Sequence, residues 1–333
     1  MLKQFIRWAL FLLVIGWSEA GFGQSGRLVV QYLNVGQADA ILVTCPDTRH
    51  HLLIDSGNTH YPGSQQAFRT QLLKALPPPA NRLTVVVASH PHEDHIGNML
   101  WLLTNFAVDT YVDNGQKADS SSFGRLEKAR RKLVKSGKLN YVNGKQNSFS
   151  KIDFCPSVQT EIFEPWAEQS LSGTNNRSVA VRLNYLKKSF LFLGDLEAQA
   201  EKVMLNGFSG PQREQVDADA LKVGHHGSDT SSTSPLVNAV SPEIAVLSCG
   251  KKEVGTNVRY KHPRLSTIRT YGDWFKNHST KGVPPNDTIW VYDSTKKNWI
   301  QETRPAGLWL TPKDGTITIR SDGVTIEVEK EAQ

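Results

Sequence analysis

The chain has 333 residues, with 38 Lys and Arg against 32 Asp and Glu, for a formal net charge of +6. Hydrophobic residues make up 39% and charged residues 21%, a balance that excludes both a multispanning membrane protein and a disordered polyelectrolyte. The length allows one large domain or two ordinary ones, and the positive excess points to an anionic partner without bearing on the fold.

Residues 1–20 have the order of a secretory signal peptide. Lys3 and Arg7 precede the apolar run Trp8–Trp17, and Ser18-Glu19-Ala20 supplies small residues around a cleavage point. Cleavage is expected after Ala20, with Gly23 as the alternative. The run is short for a permanent transmembrane helix, so the expected location is periplasmic or secreted, an uncleaved membrane anchor being the other reading. Export permits a disulfide among Cys45, Cys155 and Cys249, and the spacing leaves the pair open. None of the three sits in a CxxC pair, which argues against a cysteine metal site.

From Arg27 the chain alternates β-rich runs with helical ones. Residues 27–35, 40–45 and 51–55 are expected strands, and Gln65–Leu76 an expected helix stopped by Pro77-Pro78-Pro79. Leu83–Ala88 is a continuous apolar run, expected of a strand buried on both faces. A helix over Ile96–Thr104, a strand around Tyr111 and a basic helix over Ser121–Lys138 follow, and Asn140–Pro156 is expected to be loop. Strands are then expected at Gln159–Phe163, Ser178–Leu186 and Phe190–Leu193, a helix at Glu197–Leu205, and strands at Ala220–Val223 and Ile244–Leu247. Thr288–Val328 is β-rich, with Asp-Gly turns at Asp314-Gly315 and Asp322-Gly323. Two β-rich halves with interspersed helices predict an α/β (α+β) fold of two mixed sheets packed face to face with helices outside. One domain is expected over residues 27–280, completed by a β-rich segment over 281–330, with Gly282–Asp287 as the candidate linker.

The ten histidines carry the chemistry. Ser89-His90-Pro91-His92-Glu93-Asp94-His95 directly follows the buried strand and places three imidazoles and the Asp94 carboxylate at a strand end. His90 and His92 can point toward one ion, and Asp94 and His95 toward a second. Imidazole nitrogen and carboxylate oxygen suit zinc or manganese. Gly194-Asp195 and Gly224-His225-His226-Gly227 also end strands, and three such strand ends suggest one centre assembled from distant segments.

These segments resemble the metallo-β-lactamase superfamily, and within it the soluble domain of ComEC-type DNA-internalisation proteins. The resemblance rests on Asn34–Ala40, Leu53–Gly57, Ser89–Gly97, Asn175–Ser178, Phe192–Glu197, Leu221–Ser228 and Tyr260–Pro263, in family order across roughly three quarters of the chain. It implies an αββα sandwich with metals at one sheet edge, and hydrolysis of phosphodiesters such as those of DNA by metal-activated water. It also implies one or two divalent ions, Zn²⁺ or Mn²⁺: His90 and His92 on the first, Asp94 and His95 on the second, and Asp195 bridging. His225 is expected to complete the second site, with His226 as the alternative or as a substrate contact. The family's third histidine for the first ion is missing, since Gly173–Ser178 reads GTNNRS. Asn175, Asn176 and Ser178 are candidate substrate or supporting residues, and oxygen ligands there favour manganese or a loosely held ion.

Asp94 or Asp195 is expected to orient the water. Asp55 is a candidate to fix a ligand histidine, against a plain turn role. His262 is a candidate substrate contact or proton donor to the leaving oxygen, against a structural loop role. His50, His51, His60 and His278 lack ligand spacing and are expected at the surface, and Cys249 is expected to be a buried thiol. Lys128, Arg130, Arg131, Lys132, Lys135 and Lys138 offer a phosphate-contacting face or an ordinary solvated one, and no aromatic platform for single strands stands out. The expected function is an exported, metal-dependent phosphodiesterase or nuclease with nucleic acid or another phosphodiester as substrate, and not a complete DNA importer. Hydrolysis of another ester or amide, such as an envelope phosphodiester or a β-lactam, and a non-catalytic DNA-uptake accessory are the alternatives.

Overall fold

The computed structural model of the chain describes residues 26–78, 81–144, 149–163, 171–207, 216–278, 280 and 287–331. The expected leader, with both cleavage positions, lies outside the described residues, as does the candidate linker apart from Asp287. Among the described residues no helix is long and apolar enough to cross a membrane.

The first sheet starts with the antiparallel strands β1 (Leu28–Tyr32), β2 (Ile41–Thr44) and β3 (His51–Ile54). Helix α1 (Ser64–Ala75) ends at Leu76, whose backbone is extended, the conformation that Pro77 favours in the residue before it. Strands β4 (Arg82–Val87), β5 (Ala107–Asp113) and β6 (Asn140–Asn143) then add in parallel, linked by the single turn α2 (Glu93–Ile96) and the helices α3 (Met99–Asn105) and α4 (Ser121–Lys135). Leu83, Val85, Val86 and Val87 of β4 are all buried, because both faces of the sheet are covered.

The second sheet opens with β7 (Phe149–Lys151), β8 (Gln159–Phe163), β9 (Ala180–Tyr185) and β10 (Lys188–Phe192), all antiparallel. Helices α5 (Ala198–Gly207) and α6 (Ser234–Val240) connect it to the parallel strands β11 (Ala220–Lys222) and β12 (Ile244–Leu247). After α7 (Asn257–Tyr260) and α8 (Leu265–Lys276) comes a separate hairpin of β13 (Thr288–Asp293) and β14 (Asn298–Thr303). Strand β15 (Leu308–Leu310) returns to β12, and the turn α9 (Thr311–Asp314) leads to β16 (Ile317–Ser321) and β17 (Ile326–Lys330) beside β1. The strand orders are β17-β16-β1-β2-β3-β4-β5-β6 and β15-β12-β11-β10-β9-β8-β7.

Three apolar layers hold this sandwich. Tyr32, Val85, Val87, Phe190, Phe192 and Val246 lie between the sheets. Phe68, Leu72, Leu102 and Leu126 join α1, α3 and α4 to the first sheet, and Met204, Val237, Ile268 and Tyr271 join α5, α6 and α8 to the second. The arrangement is αββα.

Some local expectations change. The stretch expected as loop holds β6 and β7, short strands with weak apolar signal at the ends of their sheets. Helix α8 has no counterpart in the sequence reading, although Leu265, Ile268, Tyr271 and Phe275 recur at helical spacing and are buried. Asp314-Gly315 ends α9 instead of turning a hairpin, and Asp314 Oδ2 accepts from Arg304 at 2.6 Å and from the Leu310 amide at 3.0 Å. On the basic helix, Arg130 turns inward: it is buried, 3.8 Å from the Tyr141 ring and 3.8 Å from Asp113.

Cys45 and Cys155 form a disulfide, leaving Cys249 as a buried free thiol. Cys45 follows β2 and Cys155 precedes β8, so the bond joins the two sheets. By strand register it lies at the edge opposite Asp55 and Asp195. A cross-link closing about 110 residues restricts the unfolded chain, and removing such a bond costs roughly 2–5 kcal/mol. Cys45→Ser with Cys155→Ser should lower the unfolding free energy by that amount in urea titrations, and reductant should reproduce the effect in the unaltered chain; an unchanged midpoint would contradict it.

Candidate metal centre

The carboxyl ends of β3, β4, β10, β11 and β12 meet at one edge of the sandwich and deliver Asp55, Ser89–His95, Asp195, His225-His226 and Ser248. Open α/β sheets characteristically bind ligands at such strand ends. Gly194 makes the approach of Asp195 feasible. Its φ is +55°, and a Cβ there would come within 2.9 Å of the Ser178 Cβ and 3.0 Å of the Ser89 Cβ.

Asp195 Oδ2 is the geometric hub. It lies 3.1 Å from His95 Nε2, 3.5 Å from His226 Nε2, 3.7 Å from His225 Nε2 and 3.9 Å from His90 Nε2. His92 Nδ1 joins the group 3.0 Å from His90 Nε2. Asp94 faces the other side, 3.5 Å from His226 Nε2 and 4.0 Å from His95 Nε2. All seven side chains singled out along the sequence therefore converge.

Their outer atoms are held in place. Asp55, at a left-handed φ of 61°, accepts from the Ser89 amide at 2.7 Å, the Ser89 hydroxyl at 2.8 Å and His95 Nδ1 at 2.7 Å. With Nδ1 donating to Asp55, Nε2 of His95 is left to face the centre. His226 is set in the same way, its Nδ1 donating to the Ser248 carbonyl at 3.0 Å. His225 and His226 both have positive φ, 45° and 52°, a strained pair of L residues that turns two neighbouring rings into one site. Ser178 Oγ accepts from the Asp195 amide at 3.1 Å and lies 3.3 Å from His90 Nδ1. Asn175 Nδ2 is 3.3 Å from His225 Nε2. Asn176 turns away, donating to the Ser172 carbonyl at 2.9 Å and accepting from the Glu197 amide at 3.2 Å.

Two site residues lie in segments that carry the resemblance but have no role in the sequence reading. Asp39 and Lys222 are buried and paired at 2.5 Å, and Lys222 also donates to the Gly194 carbonyl at 2.9 Å and sits 3.7 Å from Asp195 Oδ1. Asp39, His95, Asp195 and His226 bring potential ligand atoms within 4.8 Å of one another. Asp39 meets the two rings from their Nδ1 side, at 3.8 and 3.7 Å, so it backs the histidines while Asp94 faces their Nε2 atoms. A signal existed for Lys222: an ammonium at the end of an apolar strand needs a buried partner.

Charge and protonation follow from this packing. Burial opposes charge on His95, but Asp195 and Asp55 outweigh it and raise its pKa well above the ordinary value. Burial likewise opposes ionisation of Asp195, and His226, His95 and His225 overcome it. Buried His90 is pushed well down, with His95 adding to the effect. Among the described residues, His95 Nε2, His226 Nε2 and Asp195 Oδ1 are buried without a hydrogen-bond partner, although such atoms are normally satisfied. A divalent cation fits the two nitrogens, because both face Asp195 Oδ2, at 3.1 and 3.5 Å, while Oδ1 lies toward Lys222 at 3.7 Å.

His262 lines the same cavity of about 580 Å³. Gln37 fixes its tautomer: Oε1 of Gln37 accepts from the Gly250 amide at 2.9 Å, so Nε2 donates to His262 Nδ1 at 3.1 Å and the His262 proton sits on Nε2. Burial, aided by His226 and His225, pushes the His262 pKa down to about 2. The ring is neutral near neutral pH, which suits it to donate a hydrogen bond and not to act as an imidazolium acid.

The remaining histidines divide. His51 is buried beside Thr44 at 3.2 Å, against the surface expectation, because it opens the central strand β3. His60 is exposed and lines the site cavity, and His278 stacks on Trp274. A second cluster, Cys45, Asp47 and His50, has its sulfur committed to the disulfide.

Residues 33–251 match the sequence model of the metallo-beta-lactamase superfamily. The chain is 28% identical over 251 residues to ComE operon protein 3 of Bacillus subtilis (strain 168), covering 72% of this chain and 30% of that protein. It is 27% identical over 243 residues to Competence protein ComA of Neisseria gonorrhoeae, covering 72% and 29%. It thus spans less than a third of the length of these relatives. Among solved structures, the metallo-beta-lactamase fold protein YhfI from Bacillus subtilis aligns with a TM-score of 0.41 and 14% identity, over 66% of this chain and 85% of that one.

Lys222→Met should leave Asp39 buried without a counter-charge and cost about 3–5 kcal/mol of stability. Adding Asp39→Asn should recover part of that loss. A urea-denaturation double-mutant cycle in EDTA checks both, and additive losses would show that the two residues are not coupled.

Proposed function

The chain belongs to the metallo-beta-lactamase superfamily, and from that membership we propose that it is a metal-dependent phosphodiesterase acting on nucleic acid outside the cytoplasm. The observation that carries the reading is the Asp195 carboxylate oxygen ringed by four imidazole nitrogens. In this reading His90, His92 and His225 hold one ion, Asp94, His95 and His226 hold a second, and Asp195 serves both. The histidine pair is divided between the ions, and His225 takes the place of the histidine missing from Gly173–Ser178. A divalent ion so held supplies a hydrolytic nucleophile at neutral pH and offsets charge on the scissile phosphate.

The chain's own residues do the rest. Asp55 keeps His95 aimed at the centre, and Ser178 does the same for His90 and the Asp195 backbone. Asp94 orients the attacking water, and His262 donates its Nε2 proton in a hydrogen bond to a phosphate oxygen. Arg259 and Arg264 line the cavity and attract the diester anion. The competence-protein relatives support nucleic acid as the substrate class. The Cys45–Cys155 bond and the leader-like N-terminus support export.

The test is incubation of metal-stripped chain with Mn²⁺ or Zn²⁺ on bis-p-nitrophenyl phosphate, linear DNA and nitrocefin. Diester and DNA cleavage should appear only with metal and fall roughly 100-fold or more in Asp94→Ala and Asp195→Asn. Cleavage of nitrocefin alone sinks the proposal, and metal uptake with no turnover of any substrate points to a binding accessory. Asp55→Asn should keep the fold while weakening metal affinity about 10- to 100-fold. Calorimetric metal titration reads this directly, and unaltered affinity would reduce Asp55 to a turn residue.

A further inference from the structure

Next to the metal-site cavity lies a second, of about 500 Å³, and His262 stands in the wall of both. One side of the second cavity is the hairpin β13–β14. Its register pairs Trp290 with Gln301 and Tyr292 with Trp299, so these side chains share one face of the ribbon. Ile289, Val291 and Ile300 on the other face pack into the helical layer. The opposite side is the segment after β12, with Lys251, Lys252 and Val254.

On this face Trp290 is exposed, Trp299 half-buried and Tyr292 buried, and cations lie against the rings. Trp290 is 45% exposed, and Lys252 Nζ sits 3.8 Å from its ring centre. Lys261 and Arg264 lie 4.8 and 5.0 Å from the Tyr292 ring, and Arg259 lies 5.8 Å from Tyr260. No Asp or Glu among the described residues lines this cavity. A part-exposed indole fixed on a strand, with one ammonium against its ring and further cations against the neighbouring Tyr292, matches a chain whose repeating unit has one flat apolar face and one negative charge. Bases give the face and phosphates the charge. A duplex offers no free base face, since its bases stack on each other.

We propose that this groove binds single-stranded nucleic acid beside the reacting phosphodiester, stacking a base on Trp290 and setting one phosphate against Lys252 and the next, in the adjoining site cavity, against Arg264. The assignment rests on the phosphodiesterase reading and deepens it: the hairpin lies beyond the residues that match the superfamily model and selects an unpaired strand.

The probe is a fluorescein-labelled oligothymidylate of about 12 nucleotides, titrated with the full chain in EDTA so that binding is read without cleavage. Trp290→Ala should weaken binding about 5- to 100-fold, and Trp290→Phe should recover most of the loss. Lys252→Ala should reduce the salt dependence of binding, and the duplex formed with oligoadenylate should bind more weakly than the single strand. Circular dichroism checks each variant's fold, and Trp290→Phe with Lys252→Ala carry the test if the alanine variant does not fold. Unchanged affinity in Trp290→Ala, unchanged salt dependence in Lys252→Ala, or duplex binding as tight as single-strand binding overturns the proposal. No turnover enters this measurement, so its failure leaves the phosphodiesterase reading standing, and an absence of diesterase activity is a separate result.

Discussion

Four carboxylates, those of Asp39, Asp55, Asp94 and Asp195, meet at one edge of the sandwich, and three of them are almost wholly buried. Like charges a few ångströms apart repel by about 4 kcal/mol even at an effective dielectric near 20. Every other feature of this edge answers that repulsion. Lys222 pairs with Asp39, His95 stands between Asp55 and Asp195, and His226 stands between Asp94 and Asp195. Lys222 and His226 come from the end of β11 in one sheet and His95 from the end of β4 in the other, so the arrangement is reached only when both sheets are in register. Electrostatics at the edge and topology in the core are therefore one requirement met twice.

The same requirement explains what could be read along the chain. The His90–His95 cluster is legible because its ligands are local and follow an unmistakable buried strand. Asp195 and the His225-His226 pair are legible because glycines beside them mark sharp turns at strand ends. Asp39 and Gln37 were not, since their roles exist only across the fold: Gln37 meets His262 from 225 residues away, and Lys222 signalled only the need for a buried partner, not which one. His51 resembles a surface histidine until β3 is known to be central. Helix α8 had the periodicity to be seen but lay in a stretch rich in polar residues. The different directions in which His225 and His226 point were beyond sequence, because they depend on two successive left-handed residues.

Aromatic residues illustrate a different limit. Tyr260, Trp290, Tyr292 and Trp299 show no base-stacking platform along the chain, although the last three lie within ten residues. Strand register collects the last three on one face of a two-stranded ribbon, and His262 links that ribbon's cavity to the metal site. The hairpin belongs to neither large sheet. Ile289, Val291 and Ile300 tie its inner face to the helical layer, while Trp290 and Gln301 on the other face stay exposed and can vary without touching either sheet.

The inter-sheet disulfide has a consequence for how the molecule is finished. The two sheets are fastened at opposite edges, by a covalent bond at one and by convergent histidines and carboxylates at the other. The covalent clasp needs only an oxidant and, once closed, is independent of solutes. The other clasp draws its histidines and carboxylates from both sheets and forms the candidate metal site. The two halves of the sandwich are thus held by fastenings of different chemistry, and a reagent that undoes one leaves the other in place.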